Sequence, residues 1–340
     1  MLSNIFTLGF LVSLLASTIR LATPILVPAL GQIFTQKAGI LNLGVEGTMT
    51  IGAVSGFSVA YLTGNLWIGI LGGIFFGMLW SLLMACLSIT MKANQVIAGI
   101  GLNILGAGVA VYTYRVIFGI QKLPPQVETF SVINIPLLSD IPIIGPIFFQ
   151  HNILVYLGFL LVPITWFVLE KTTFGLKIKA VGEHPRAADS KGISVAKIRY
   201  SAVLIGGAYA GAAGAFMTIA YLNQFTESII GGRGYIAISV VIFSRFIPKR
   251  SMWGALLFGF ASALQMRLQA LGINIANQLL LMLPYIMTVL ALILASKKSE
   301  IPSAYTIPYS RLEDDKNIMD FSMYIMYSLF TYRLYKIEYF

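Results

Sequence analysis

Sulfur and imidazole chemistry are almost absent from this chain. Of its 340 residues, one is cysteine and two are histidine. Cys86 lies in an apolar run and alone can form neither an intramolecular disulfide nor a thiolate metal cluster. His151 and His184 sit in separate polar stretches, so no zinc site is spelled out. Charge is scarce too. Asp, Glu, Lys and Arg make up 11% of the chain, against roughly 25% in soluble domains. Hydrophobic residues reach 57%. This composition excludes an ordinary soluble domain and predicts an all-α, polytopic integral membrane protein. Catalytic patterns are missing as well. No lysine follows a glycine, so there is no GxxxxGK[ST] phosphate loop, and neither HExxH nor GxSxG occurs. The chain is not expected to be an enzyme or to hold a cofactor. If ATP drives it, the ATPase is another chain. Carboxylates inside the apolar runs are too few to form a proton relay.

What charge there is has one dominant sign. Lys and Arg number 23 against 13 Asp and Glu, a net charge of +10. The cations are spread over short loops between apolar runs. That suits anionic lipid and the positive-inside rule rather than nucleic acid. A span needs roughly 20 apolar residues, and the chain supplies about nine candidates. They are Leu8 to Phe34 (interrupted by Pro24 and Pro28), Leu43 to Leu62, Trp67 to Thr90, Val96 to Phe118, Ile153 to Leu169, Tyr200 to Leu222, Tyr235 to Phe246, Trp253 to Leu271, and Gln278 to Ala295. The N-terminus has no basic stretch before its apolar run and reads as a first span rather than a cleaved signal. The run from Tyr235 is too short to cross unaided. After Gly231-Gly232-Arg233-Gly234 it is either tilted or re-entrant. The proline-rich stretch 119–150 has room for a short interfacial segment.

The longest polar stretch before the C-terminal tail is Glu170–Arg199. It carries Lys171, Lys177, Lys179, Arg186, Lys191, Lys197 and Arg199 against Glu170, Glu183 and Asp189. Cationic loops stay in the cytoplasm. With this loop inside, Lys37, Lys92, Arg245–Arg250 and Lys297-Lys298 also fall inside, and the loops left outside are poor in Lys and Arg. The N-terminus is then outside. Within the loop, Pro185 suits the first position of a helix, Ala187 and Ala188 propagate it, and Gly192 can close it.

Two groups of polar residues mark the spans. Glu46 stands at the mouth of the second span, close to Asn42. Gln95 and Asn103 are eight apart in the fourth and share a helix face. An ionisable group there can anchor at the interface, pair with a base or line a substrate path. Amides on one face hydrogen-bond either a neighbouring helix or a polar ligand. Those alternatives stay open on the residues alone; the family resemblance carried by the four stretches below makes Asn42, Glu46, Gln95 and Asn103 the pathway candidates. In the outer loop, Asn223, Gln224 and Glu227 can meet an external partner. Taken alone, these features also suit a stand-alone secondary transporter or channel for a small polar solute.

Four stretches carry a family resemblance. They are TPILVPALGQIFTQKAGILNLGVEGTMTIGA, NQVIAGIGLN, FGLKIKAVGEHPRAADSKGIS and GGRGYIAISVVIFSRFIPKRSMWGALLFGFASALQMRLQ. In order and spacing they resemble the permease subunits of bacterial ABC importers for simple sugars and nucleosides, over roughly Leu8 to Asp315. The likeness is greatest to the branch served by a basic-membrane-protein type lipoprotein. The resemblance implies a transmembrane permease domain over 1–298 in the cell membrane and a tail over 299–340. It implies a coupling helix in the 170–199 loop, with Glu183, His184, Pro185, Arg186, Ala187, Ala188 and Gly192 meeting a cytoplasmic ABC ATPase. A second, paralogous permease subunit and an extracellular substrate-binding lipoprotein are the other implied partners. The implied cargo is a nucleoside or simple sugar. Two features depart from the pattern. His184 stands where the family has Asn, a better helix cap. Beyond Asp315, Phe321, Tyr324, Tyr327 and Phe330 recur every three residues in a tail too short to span.

Overall fold

A computed structural model of the chain describes residues 7–120, 123–270, 279, 282–295 and 301–310. It separates a compact unit, Met1–Ile307, from Pro308–Phe340. Every element described below belongs to the first unit. The aromatic stripe at Phe321–Phe330, Lys297-Lys298 and the turn at 272–277 lie outside the described residues.

The unit is helical. In order it has α1 (Leu8–Lys37), α2 (Val45–Thr63), α3 (Leu66–Ala85), α4 (Gln95–Phe118), α5 (Ile144–Phe148), α6 (Ile153–Lys171), α7 (Thr173–Glu183), α8 (Pro185–Ser190), α9 (Val195–Phe216), α10 (Arg233–Phe243), α11 (Pro248–Ala270) and α12 (Leu283–Ala295). One turn of π-helix extends α3 over Cys86–Thr90, and another extends α9 over Met217–Tyr221. Among the described residues, five helices are long and apolar enough to cross a membrane: α1, α3 and α9 with their extensions, α4 and α6.

Two local readings are corrected and a third is given detail. Pro24 and Pro28 do not split the first span, because α1 runs unbroken through both. Both prolines are buried among other helices, and such packing can hold a membrane helix together where proline removes a backbone donor. The 119–150 stretch contains α5 and half of a small hairpin. Its strands, β1 (Val132–Asn134) and β2 (Gln150–Asn152), pair antiparallel with Ile133 opposite His151. The polar loop holds a second helix, α7, that sequence spacing did not announce. Thr172 caps it by accepting from the Gly175 amide at 3.2 Å. Its apolar stripe, Ile178 and Val181, is buried.

Small residues set the centre of the bundle. From Val45 to Ser58 almost every residue of α2 is buried, between α3 and α9. A Cβ at Gly52 would lie 2.4 Å from the Gly211 carbonyl oxygen, and one at Gly73 only 2.6 Å from the Ala215 methyl. Membrane helices gain no water-expulsion term from one another, so such close backbone approach, with its van der Waals contact, is what holds them. Phe57, Tyr61, Tyr114 and Phe118 stack at the other end of α2, with ring centroids 5.0–6.3 Å apart.

His151 lies buried in the hairpin, its Nε2 2.7 Å from the Ile147 carbonyl and its Nδ1 without a partner. Burial holds its pKa below the ordinary value, and Arg20 nearby adds to this. The unfolded chain therefore binds this proton more readily than the folded one. The stabilisation is complete above the ordinary imidazole pKa of about 6.5 and is lost as pH falls below it. The protection of amides 132–152 against hydrogen exchange, relative to their intrinsic rate at each pH, is expected to fall between about pH 6.5 and 5 in wild type, and this fall should vanish in His151→Phe. An identical pH response in both proteins would refute the assignment.

Candidate functional site

The turn between α1 and α2 is built to hold one carboxylate deep in the bundle. Asn42 folds it, its Oδ1 accepting from the Gly44 amide at 2.9 Å. Gln95, at the start of α4, accepts from the Leu41 amide at 2.8 Å. Two turns along α4, Asn103 Oδ1 accepts from the Gly47 amide at 2.7 Å, and its Nδ2 donates to the Leu43 carbonyl at 2.8 Å and to the Tyr235 hydroxyl at 2.7 Å. Eight residues of helix rise about 12 Å. Residues 41 to 47 thus run alongside the first third of α4, and α2 begins there.

Glu46 stands in the first turn of α2, opposite the start of α10. Its Oε1 accepts from the Gly232 amide and its Oε2 from the Gly234 amide, both at 2.7 Å. The carboxylate thus fills the N-terminus of α10, where orphan amides and the helix dipole favour negative charge. Two local features permit this. Gly232 adopts φ +81°, a left-handed conformation that costs glycine little. Gly234 has no side chain, and a Cβ there would lie 2.8 Å from the Glu46 Cα. Arg233 makes no hydrogen bond to Glu46; its Nη1 donates to the carbonyls of Ile230 at 2.8 Å and Ile229 at 3.3 Å.

All four pathway candidates therefore meet in one cluster, and each has a polar contact to backbone. Two residues that sequence reasoning passed over face outward beside them. Tyr235 is 44% exposed, and Tyr285 of α12, 52% exposed, donates to the Gly231 carbonyl at 3.4 Å. The glycine-rich run before a half-length apolar segment left a tilted or a re-entrant helix open, and the helix there, α10, covers Arg233–Phe243. Nothing in the spacing signalled its partner 186 residues earlier.

A second polar cluster gathers around α7, α8 and the start of α9. Pro185 opens α8, and Gly192 closes it at φ +80°. His184 occupies the cap position and makes no capping bond. Arg186 and Ala187 are exposed, while Ala188 is buried. Beside them Glu170 pairs with both Lys37 and Lys179, and Lys249 lies 4.4 Å from the Trp166 ring centroid. Arg199, only 1% exposed, donates from Nε to the Ala38 carbonyl at 3.2 Å.

The outer-loop candidates are arranged differently. The Asn223 carbonyl accepts from the Val127 amide at 3.0 Å, and Gln224 is half-buried. Glu227 pairs with Arg115 at 3.0 Å, with both side chains exposed. Of the three candidates only Glu227 borders, with Arg115, a cavity of about 300 Å³ lined also by Tyr114, Pro124 and Phe225.

Comparison with known proteins gives a consistent picture. Residues 14–292 match the family described as branched-chain amino acid transport system, permease component. The putative glucose ABC transporter permease protein TsgC13 of Haloferax volcanii is 37% identical over 334 residues, covering 90% of this chain and all of the relative. The guanosine ABC transporter permease protein NupQ of Bacillus subtilis is 37% identical over 86% of this chain and 95% of its own length. The nucleoside ABC transporter permease protein NupC of Lactococcus lactis is 35% identical over 87% and 96%. A second guanosine permease of the same Bacillus, NupP, matches more faintly, at 27% over 66% of this chain. No solved structure matches.

Proposed function

The chain belongs to the permease-component family of branched-chain amino acid transport systems, and on that premise we propose that it carries nucleosides through an importer assembled from several chains. It is embedded in a membrane and is a permease subunit of an ABC importer for a nucleoside or sugar. The observation that carries the nucleoside reading is the likeness to two permeases named for nucleosides, over most of this chain and nearly all of theirs. The exposed rings of Tyr235 and Tyr285 support it, since a base has an aromatic face to stack on them.

In this reading the membrane is the cell membrane, and the 170–199 loop lies on the cytoplasmic side. A partner ATPase seats α8 through Glu183, His184, Pro185, Arg186, Ala187, Ala188 and Gly192. The exposure of Arg186 and Ala187 beside the anchoring Ala188 supports that role. A paralogous permease completes the pair, as the coexistence of NupQ and NupP in one organism suggests. It would pack on the open face of α4, where Gly101 and Gly108 have nothing within 4 Å of a built Cβ. A binding lipoprotein delivers the solute near Asn223, Gln224 and Glu227. ATP-driven closure of the ATPases moves α8, and the permease pair turns outward to accept the solute. Asn42, Glu46, Gln95 and Asn103 frame the pathway at depth, with Tyr235 as the surface that meets the solute.

Uptake of labelled guanosine, uridine and ribose in cells lacking this gene, then with it restored, tests the substrate. Guanosine or uridine uptake is expected to fall to background and recover on restoration while ribose uptake holds. Loss of ribose uptake with both nucleosides unaffected would reject the nucleoside reading in favour of a sugar.

A further inference from the structure

We infer that residues 301–307, which follow the last membrane helix, are a positioning strap that makes α7–α8 and the α1–α2 turn move as one body, so that motion of α8 reaches the Glu46 cluster. This rests on the reading of α8 as the ATPase-docking helix and adds an element to it.

The segment is bound both to α7 and to the end of α1 with the turn that follows it. On the α7 side, the Ala304 amide donates to the Gly182 carbonyl at 2.9 Å, and the Ser303 amide and hydroxyl donate to the Glu183 carboxylate at 3.2 and 2.9 Å. On the other side, the Thr306 amide donates to the Gly39 carbonyl at 3.0 Å, and the Tyr305 hydroxyl donates to Gln36 Oε1 at 3.1 Å. Arg199 adds to this second side, holding the Ile307 carbonyl of the strap with Nη1 at 3.1 Å and the Ala38 carbonyl with Nε at 3.2 Å. Ala304 is buried.

Glycines make the approach possible. A Cβ at Gly182 would lie 2.0 Å from the Lys37 carbonyl oxygen. Gly39 adopts φ +87°, and a Cβ there would lie 2.8 Å from the Ala304 carbonyl oxygen. So α7, the end of α1 and the strap meet backbone to backbone, and backbone-bonded contacts of this kind give little before they break. Glu183 is the last residue of α7, immediately before the His184-Pro185 start of α8. Gly39 lies seven residues before Glu46 in a turn pinned by Asn42 and Gln95. The contacts are thus continuous from α8 through the strap and the turn to α10. Contact alone does not establish coupling, so the measurement has to separate coupling from assembly.

The test uses the importer purified through a tag on this chain, with its accompanying subunits, in proteoliposomes. Solute moved and ATP hydrolysed are measured together. A chain ending after Ile307 keeps the strap and is expected to match full length. A chain ending after Glu300 lacks it and is expected to retain ATP hydrolysis while solute moved per ATP falls about tenfold. Full-length efficiency in that variant would overturn the proposal. If that truncation fails to reach the membrane, the double variant Ser303→Ala/Tyr305→Phe is the measured form. There a fall of about threefold or more is expected, and an unchanged ratio overturns the proposal. Arg186→Glu in the full chain reads the α8 assignment separately. ATPase co-purifying at the full wild-type level with that variant would reject α8 as the docking helix, whatever the truncations show.

Discussion

Glu46→Gln is expected to cut solute uptake at least about tenfold while the chain still reaches the membrane in normal amount. Glu46 supplies one acceptor to each of two amides, Gly232 and Gly234, at the N-terminus of α10. A glutamine has one oxygen, so its NH₂ would face the second amide donor to donor. It also removes the charge that the helix dipole favours. A hydrogen bond to a charged group contributes about 1.5–3 kcal/mol, and leaving a buried donor unsatisfied costs a similar amount. That is sufficient to release the start of a helix of 11 residues, which cannot hold itself at that length. It is not sufficient to undo the α2–α3–α9 packing, which involves none of these atoms. Glu46→Asp keeps the charge on a shorter reach and should fall between the two. The assay is uptake of whichever labelled solute the wild type imports, normalised to the amount of chain in the membrane. Wild-type uptake by Glu46→Gln would remove the carboxylate from the mechanism. A protein missing from the membrane would show that the clamp serves assembly instead.

The second large effect concerns assembly alone. Gly214→Ala is expected to leave little folded chain in the membrane. Its Cβ would lie 1.9 Å from the Met49 carbonyl oxygen and 2.8 Å from the Ala53 amide nitrogen. These are backbone atoms of α2, so no rotamer change relieves the clash, and α9 would have to move away from α2. Overpacking a close-packed core costs typically about 1–3 kcal/mol, and more where backbones must separate. Here separation would disturb the contacts of Gly52 and Gly56 with α9 as well. Gly9→Ala is the matched control, since nothing lies within 4 Å of its built Cβ. The amount of each variant in detergent extracts, with its thermal midpoint, reads the difference. Equal amounts and equal midpoints would show that α9 shifts freely in its groove.

Much of this follows from local chemistry, and some of it does not. The cationic loop held a short helix because proline, alanine and glycine stood where a start, a body and a stop are needed. The apolar runs gave helices because membrane depth satisfies backbone groups in few other ways. By contrast, α7 was illegible. Its apolar stripe is short, Phe174, Ile178 and Val181 set among lysines, and it exists because those side chains pack into the bundle. The continuity of α1 through Pro24 and Pro28 was equally hidden, since it depends on neighbouring helices.

The polar residues divide along the same line. Composition and spacing alone settled that this is a helical membrane protein with a single cysteine and no GxxxxGK[ST] pattern, because those properties depend on residue type and short-range pattern. The sequence also picked out Asn42, Glu46, Gln95 and Asn103 as a set, since polar groups are costly in an apolar span and stand out there. Only the tertiary structure decided what they do to one another. The partners of Glu46 are amides nearly 190 residues away, and backbone donors carry no signature in side-chain sequence. The strap was unreadable for the same reason. Four of its bonds use main-chain atoms of residues 303–307, and any residue but proline offers that donor and acceptor. Where they bind is set by how closely Gly39 and Gly182 let three stretches of backbone approach.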